Sequence, residues 1–497
     1  MAGGFRARSK SGDKPTSTST SRPKGAKDGG RKQSQPRQQR RSPQQREVRR
    51  FAEAGVDKPR AAAFDVLTDV RVNDAYANLV LPALLRERRI TGRDAAFATE
   101  LTYGTLRTQG VLDRVIAAAS SRSVTQIDPT LLDALRLGVY QLLYTRVEQH
   151  AAVDTTVRMA EAVGQPKAKG FVNAVMRTTS RSTPEQWMEQ LTPEESLAAV
   201  AFRHAHPEWI ARSFARALGS DAELDEALEA DSQRPTVHLV ARPGELTAEE
   251  LALVTGGEQG RYSPYAVYLA GGDPGELEPV REGMAAVQDE GSQLIARAVV
   301  EAPLDGPDQG RWLDLCAGPG GKAALMGALA QIDGAHVDAV EKTPHRARLV
   351  DNSVRGLPVT VHVVDGRSPH IGTGFDRVLV DAPCSGLGAL RRRPEARWRK
   401  RDSDIAGLAS LQGELLESAC SLVRPGGVVV YSTCSPDVRE TREIVDRAVN
   451  EWGMQELSAH EYALGMDNVG EHKSVQMWPH RHGTDAMFFA VLRRPVS

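Results

Sequence analysis

The 497-residue chain reads as a multidomain protein in which an all-α domain precedes an α/β domain. Three observations carry that reading. Up to about residue 50, Ser, Thr, Gln, Pro, Gly, Arg and Lys crowd out apolar side chains. From about 58 to 180, apolar residues recur at helical spacing. After about 284, short apolar runs of strand character alternate with helical stretches, the rhythm of a mostly parallel sheet covered on both faces.

Residues 1–55 are expected to form a disordered basic tail. The first 50 residues hold 15 Lys and Arg against 3 Asp and Glu, a net of +12, whereas the whole chain carries −1. Such a segment buries too little apolar surface to offset its ordering entropy. A basic arm on a mildly acidic body suits contact with nucleic-acid phosphates, and equally suits a solubilising tail.

Residues 56–185 make the helical domain. Ala63, Val66, Leu67 and Val70 share one helix face, as do Leu131, Leu132, Leu135, Val139, Leu142 and Leu143. Asp128 followed by Pro129 is a helix start, a capping side chain before proline in the first turn. In residues 186–283 the signals weaken to a helix between Trp209 and Ala217 and a strand between Thr236 and Val240, a small α/β connecting module. Residues 284–497 form the catalytic domain. Strands are expected at 312–315, 336–340, 359–364, 375–380, 427–431 and 487–491, with helices at 322–330, 344–355, 404–423 and 439–452. The alternation makes this domain Rossmann-like, with its first five strands ordered 3-2-1-4-5.

Four cysteines lack any Cys-x-x-Cys pair or zinc spacing, which fits a reducing cytoplasmic setting with no metal. No run approaches 18 apolar residues and the start lacks an apolar signal core, so no membrane role is expected. No obligate protein partner is evident.

The run Asp314, Leu315, Cys316, Ala317, Gly318, Pro319, Gly320, Gly321, Lys322 lies at the first strand-to-helix turn, where glycines let the backbone approach a ligand. A Walker loop needs Gly where Cys316 stands and Ser or Thr where Ala323 stands. A dinucleotide fingerprint needs a spacing that Gly318, Gly320 and Gly321 do not supply. S-adenosylmethionine remains, since its sulfonium and amino acid moiety need close backbone approach rather than a diphosphate cradle. Glu341, closing the second strand, can take both ribose hydroxyls, and Asp365, closing the third, can reach the adenine edge.

Asp381 and Cys384 leave the fourth strand and Cys434 leaves the fifth, so all three converge at the carboxyl edge of the sheet. Thiols have a use there. C5 of a pyrimidine is too weak a nucleophile to take a methyl group, but a thiolate adding to C6 makes C5 enamine-like. A nearby carboxylic acid, placed as Asp381 is, can hydrogen-bond N3 and the exocyclic amine and supply a proton. Cys420 reads as a small buried hydrophobe, and Cys316 as one whose backbone faces the cofactor.

The segments from Asp94 to Arg107, Leu135 to Leu142 and Gly170 to Arg177 resemble the NusB RNA-binding fold. Together with the thiol loops, they make the chain from about 58 to 497 resemble the Sun (RsmB) type of RNA cytosine-5 methyltransferase. The resemblance is strongest from Gln288 onward. It implies Cys434 of the Thr-Cys-Ser loop as nucleophile and Cys384 of the Pro-Cys-Ser loop as the group assisting release. It implies cofactor contacts at residues 316–322, Glu341, Asp365 and Asp381, an RNA-facing stretch at 391–398, and a substrate in small-subunit (16S) ribosomal RNA. Two other functions stay open: a non-catalytic RNA-binding or antitermination factor, and the same chemistry on transfer RNA. The chain departs from the family pattern at Thr441 after Glu440 and at Asp485, Ala486 and Met487 before Phe488 and Phe489. Both departures are expected to lie away from the thiols.

Overall fold

The computed structural model describes residues 50–496, so the expected basic tail lies, up to residue 49, outside the described residues. The first domain is helical. Helices run over Lys58–Val72, Ala77–Arg88, Gly92–Arg107, Gln109–Ser120, Pro129–Tyr144, Gln149–Ala162 and Lys169–Thr179. The anticipated start at Asp128 is present: its carboxylate accepts from the amides of Thr130 and Leu131 at 3.0 and 3.1 Å, two donors that a helix start leaves without partners. The helix it opens buries Leu131, Leu132, Leu135, Leu137, Val139 and Leu143 and forms the centre of this core. Gly104 lets that helix come close. A Cβ there would sit 2.0 Å from the Tyr140 ring, whose hydroxyl donates to Glu100 at 2.6 Å.

The connecting region begins with helices at Pro184–Leu191, Ser196–Arg203, Glu208–Leu218 and Leu224–Ser232. An antiparallel sheet follows, built from β1 (Val237–Ala241), β2 (Glu258–Gln259), β3 (Ala266–Leu269) and β4 (Ala285–Val287) in the order β2-β3-β1-β4. Both elements anticipated here are observed, at Glu208–Leu218 and at β1. The sheet's last strand lies past residue 283 and runs into the helix Glu290–Glu301.

The second sheet contains β5 (Arg311–Asp314), β6 (His336–Val340), β7 (Val359–His362), β8 (Phe375–Asp381), β9 (Val423–Thr433), β10 (Gln455–Leu457), β11 (Val475–Gln476) and β12 (Phe488–Arg493). Its order is β10-β12-β9-β8-β5-β6-β7, with β11 on β12. The five strands β7, β6, β5, β8 and β9 are parallel in the anticipated order, whereas β12 pairs antiparallel with β9. Two-residue periodicity divides the core. Val428 and Val430 of β9 face the layer containing helices Glu290–Glu301 and Gly321–Asp333, while Val429 and Tyr431 face Asp404–Leu422 and Arg442–Asn450. The order reverses between β5 and β8, and ligands of open α/β sheets collect at that switch point.

The stretch 391–398 is not a continuous RNA-facing or solvated strip: Arg393 is exposed, but Arg391, Arg392 and Arg397 are spent on partners within the protein. Arg391 is buried and donates to Asp485 at 2.9 Å and to the Gly483 carbonyl at 2.7 Å. Arg392 spans Asp485 and Asp289. Arg397 is fully buried against Asp231, whose carbonyl and carboxylate it meets at 2.7 and 3.1 Å. Trp398 donates to the Leu106 carbonyl at 2.6 Å, and Arg399 reaches the carbonyls of Asp74 and Ala75. This segment therefore locks the catalytic sheet to the connecting helices and to the helical domain. Charge run together in the sequence is spent on partners far away in the chain.

Removing one member of a buried pair strands the other charge, at about 3–5 kcal/mol. Arg397→Ala is expected to lower the urea midpoint by that equivalent, and Arg397→Lys to recover little because an ammonium lacks the guanidinium fork. Equal midpoints for parent and Arg397→Ala would overturn the assignment.

Candidate active site

β5 ends at Asp314 and the helix Gly321–Asp333 begins seven residues later. The loop between them is held by Ala317, whose amide donates to the Val340 carbonyl at 2.9 Å. Two of its glycines are sterically required. A Cβ on Gly318 would lie 2.2 Å from the Glu341 carboxylate, and one on Gly320 would lie 2.8 Å from Ser353, at a φ of +115°. The result is a narrow backbone cradle with the helix amino end facing it.

Glu341 is buried, accepts from the Thr343 amide at 2.7 Å, and has Arg346 3.5 Å from its other oxygen. Asp365 is held by Arg367 at 2.7 Å and Lys342 at 2.9 Å. The Arg367 hydrogen bonds, followed by Lys342, hold its carboxyl well below the usual carboxylate range. Asp314 is buried, and its Oδ1 accepts from the Cys316 amide at 3.3 Å while its Oδ2 has no protein partner. Burial, then the negative charge of Asp381, pushes Asp314 up to about 7. Burial likewise pushes the Cys316 thiol well up, so this sulfur is unsuited to act as a thiolate.

Lys322 joins the cradle to the sheet. Its ammonium donates to Asp381 Oδ2 at 2.7 Å, and Ser432 donates to Asp381 Oδ1 at 2.9 Å. Burial works against the lysine charge, but the Asp381 carboxylate outweighs it and the net shift is upward. Sequence reasoning placed Lys322 with the cofactor and Asp381 with both the cofactor and the nucleobase; the structure pairs the two side chains. It also makes Ser432 a member of the group, through the register that sets Asp381 opposite it on β8 and β9.

The two thiols meet. Cys384 Sγ and Cys434 Sγ lie 3.3 Å apart, each partly exposed. The Gly388 amide donates to the Cys434 carbonyl at 2.9 Å, tying the two loops together. The sulfurs differ in their neighbours. Cys434 is pulled down, first by the hydrogen bond from Cys384 and then by Lys322 and Arg393, against burial and Asp381. Cys384 is pushed well up by the same hydrogen bond, by burial and by the charge of Glu440. The two shifts run in opposite directions, so of the pair Cys434 is the thiol that gives up its proton more readily.

The departure at Thr441 was expected away from the thiols, yet its neighbour Glu440 reaches the loop of Cys384. It is fully buried, and its carboxylate accepts from the Ser385 amide at 2.8 Å, from the Ser385 hydroxyl, and from Gln412 at 3.0 Å. Ala486 also reaches the loop beside the thiols, since its amide donates to the Gly388 carbonyl at 2.9 Å. Gln412 carried a signal in the sequence, a polar residue flanked by Leu411, Leu415 and Leu416 in an apolar helix. Cys420 is buried in that same helix, as anticipated. A separate cavity of about 360 Å³, lined in part by Tyr262, Arg297 and Tyr462, contains none of the residues above. Among the described residues no helix is long and apolar enough to cross a membrane.

The cradle fits S-adenosylmethionine: glycines where a Cβ would collide, helix amides facing inward, and an unpartnered buried carboxylate oxygen on Asp314. Comparisons with known proteins agree with this geometry. Residues 302–493 match the family model of the 16S rRNA methyltransferases RsmB/F, and residues 57–181 match the NusB family. A Mycobacterium tuberculosis protein with a provisional methyltransferase assignment is 58% identical over 88% of this chain and 97% of its own. Ribosomal RNA small subunit methyltransferase B of Salmonella newport is 37% identical over 73% of this chain and 83% of its own. The crystal structure of the protein PH0851 superposes with a TM-score of 0.75 at 22% identity, over 88% of this chain and 99% of that one, which shows a shared fold.

A carboxyl raised in the folded state favours folding only while protonated. Stability contributed at Asp314 is therefore present below pH ~4, the unfolded value, and lost as pH rises through about 7. Asp314→Asn is expected to flatten the stability curve across that window in the ligand-free protein. An unchanged curve by urea titration at pH 5 and pH 8 would refute the burial argument.

Proposed function

The chain belongs to the RsmB/F methyltransferase family with an N-terminal NusB-type domain, and on that premise we propose that it methylates C5 of a cytosine in small-subunit ribosomal RNA through a covalent adduct. The observation that carries this reading is the 3.3 Å approach of two thiols beside the Lys322–Asp381 pair.

Residues 316–322, Glu341, Asp365 and Asp381 would hold S-adenosylmethionine, whose sulfonium supplies an electrophilic methyl group. The chain's own residues do the rest. The target cytosine must leave its stack to reach the thiols, at a cost of a few kcal/mol. Cys434, the sulfur nearer the cations, adds its electron pair to C6, and the C5–C6 π pair moves toward C5. Asp381, held between Lys322 and Ser432, is positioned to hydrogen-bond the ring as charge develops. C5 then takes the methyl group, and the broken bond leaves its pair on the donor sulfur. With Cys384 assisting, the C5 proton departs to solvent, the double bond re-forms and Cys434 is expelled as a thiolate. One proton is released per turnover, and the thiol pair returns to its starting state.

Arg393 supports an RNA partner. It is exposed, and unlike its neighbours its guanidinium makes no ion pair or hydrogen bond among the described residues. It lies 5.2 Å from the exposed Tyr76 ring of the helical domain, and its charge reaches Cys434. An arginine stacked on an aromatic at the domain border suits a base or phosphate approaching the thiols.

Cys434→Ala is expected to abolish labelled methyl transfer to ribosomal RNA, and Cys384→Ala to accumulate a protein–RNA adduct that survives denaturing gels. Full activity in Cys434→Ala with none in Cys384→Ala would reverse the roles. Bisulfite mapping of RNA from cells lacking the protein tests the target, and a lost mark in transfer RNA alone would overturn the ribosomal assignment. Arg393→Ala should raise KM for RNA several-fold with KM for the methyl donor unchanged; an unchanged KM for RNA removes Arg393 from the interface.

A further inference from the structure

We infer that Glu440 is a positioning residue for adduct release, acting through Ser385 on the Cys384 loop; this rests on the covalent reading above. Glu440 is 0% exposed and forms no ion pair among the described residues. A carboxylate so placed would be costly unless its donors were fixed in position. Three donors serve it. The Ser385 amide and Gln412 amide converge on Oε1, and the Ser385 hydroxyl donates to Oε2. Ser385 directly follows Cys384, so two of the three hydrogen bonds fix the backbone and side chain adjoining that thiol.

The network continues to the second loop. Ser435, directly after Cys434, has its Oγ 3.1 Å from Ser385 Oγ and accepts from the Asp437 amide at 3.1 Å. The Ser385 hydroxyl thus meets both the Ser435 hydroxyl and the Glu440 carboxylate, and these contacts link the two thiol loops. Tyr431 donates to the Glu440 carbonyl at 2.7 Å, fixing the acid to the floor of β9. Gln412 also donates to the Pro383 carbonyl at 2.9 Å, so the residue before Cys384 is gripped as well.

The asymmetry of these bonds gives the inference its content. The Glu440 and Gln412 side chains hold the Cys384 loop on both sides of the sulfur, at Pro383 and Ser385, whereas they reach the Cys434 loop only through the Ser435 hydroxyl; the Cys434 backbone is tied separately, by the Gly388 amide. Loss of Glu440 should therefore disturb Cys384 more than Cys434, leaving attack and methyl transfer in place while release fails. A merely structural residue would impair donor affinity and first turnover together.

The test compares Glu440→Ala, Glu440→Gln and Ser385→Ala with Cys384→Ala in the full chain. For Glu440→Ala we expect donor affinity within two-fold of the parent, a first turnover close to the parent's, at least a ten-fold fall in steady-state kcat, and an adduct like that of Cys384→Ala. Glu440→Gln keeps an acceptor for the Ser385 amide and should recover most of the turnover. Ser385→Ala, which removes one hydroxyl from the network, should show the same adduct more weakly and covers the case in which Glu440→Ala does not fold. Normal turnover in both Glu440→Ala and Ser385→Ala, or loss of first turnover without adduct, overturns the inference. Should Cys384→Ala itself form no adduct, the covalent reading fails instead.

Discussion

β8 and β9 run side by side in the same direction, and the site depends on that pairing. The register sets Asp381 opposite Ser432. Both strands then leave the sheet at one level, with Cys384 three residues beyond Asp381 and Cys434 two beyond Ser432. Strand spacing of about 4.8 Å leaves such loops little freedom to avoid each other. β5 on the other side of β8 brings the cradle and Lys322 to the same edge, so one strand order assembles donor cradle, acid and thiols.

In the proposed mechanism two chemically identical side chains do different work, and their neighbours supply a difference. Burial alone raises both thiols. The hydrogen bond between them separates them first, lowering Cys434 and raising Cys384; Lys322 and Arg393 then pull Cys434 down against the opposing charge of Asp381, while Glu440 pushes Cys384 up. In a partly dry site such charges count for more than in water. The hydrogen bond between the sulfurs makes Cys434 the more acidic of the two and Cys384 the less acidic. In the proposed mechanism that difference would lapse once Cys434 was bonded to carbon, because its sulfur would no longer compete for charge.

Much of this was legible in the sequence because it is local. Strand and helix periods placed β5 through β9 within a few residues, and the glycines at 318 and 320 stand where an added Cβ would meet Glu341 and Ser353. The thiol loops stood out because cysteine is rare in this chain. What escaped is non-local. Arg397 finds Asp231 across 166 positions and Trp398 finds Leu106 across 292, so a basic run that reads as surface is largely interior. Glu440 escaped for a related reason. Whether a loop glutamate faces water or a buried serine depends on how two strands pack, which no spacing within the loop reveals.

The same segment explains how the helical domain takes part without contributing to the chemistry. Gly388, bonded to the Cys434 carbonyl, and Arg399, bonded to carbonyls near the end of the first helix, are only eleven residues apart. Between them lie Arg391 and Arg397, buried with fixed counter-charges, and Glu395, which accepts from the Ala77 amide at 3.2 Å. Arg391 and Arg397 stiffen this segment from within, and Glu395, Trp398 and Arg399 bond it to the helical domain, so separating the domains would leave buried Glu395 without the Ala77 amide and break the bonds of Trp398 and Arg399 together. If, as proposed, RNA is held on the helical surface, it would lie at a fixed distance from the thiols. Recognition by one domain would then become orientation in the other, and orientation of a reactant is itself a large part of rate.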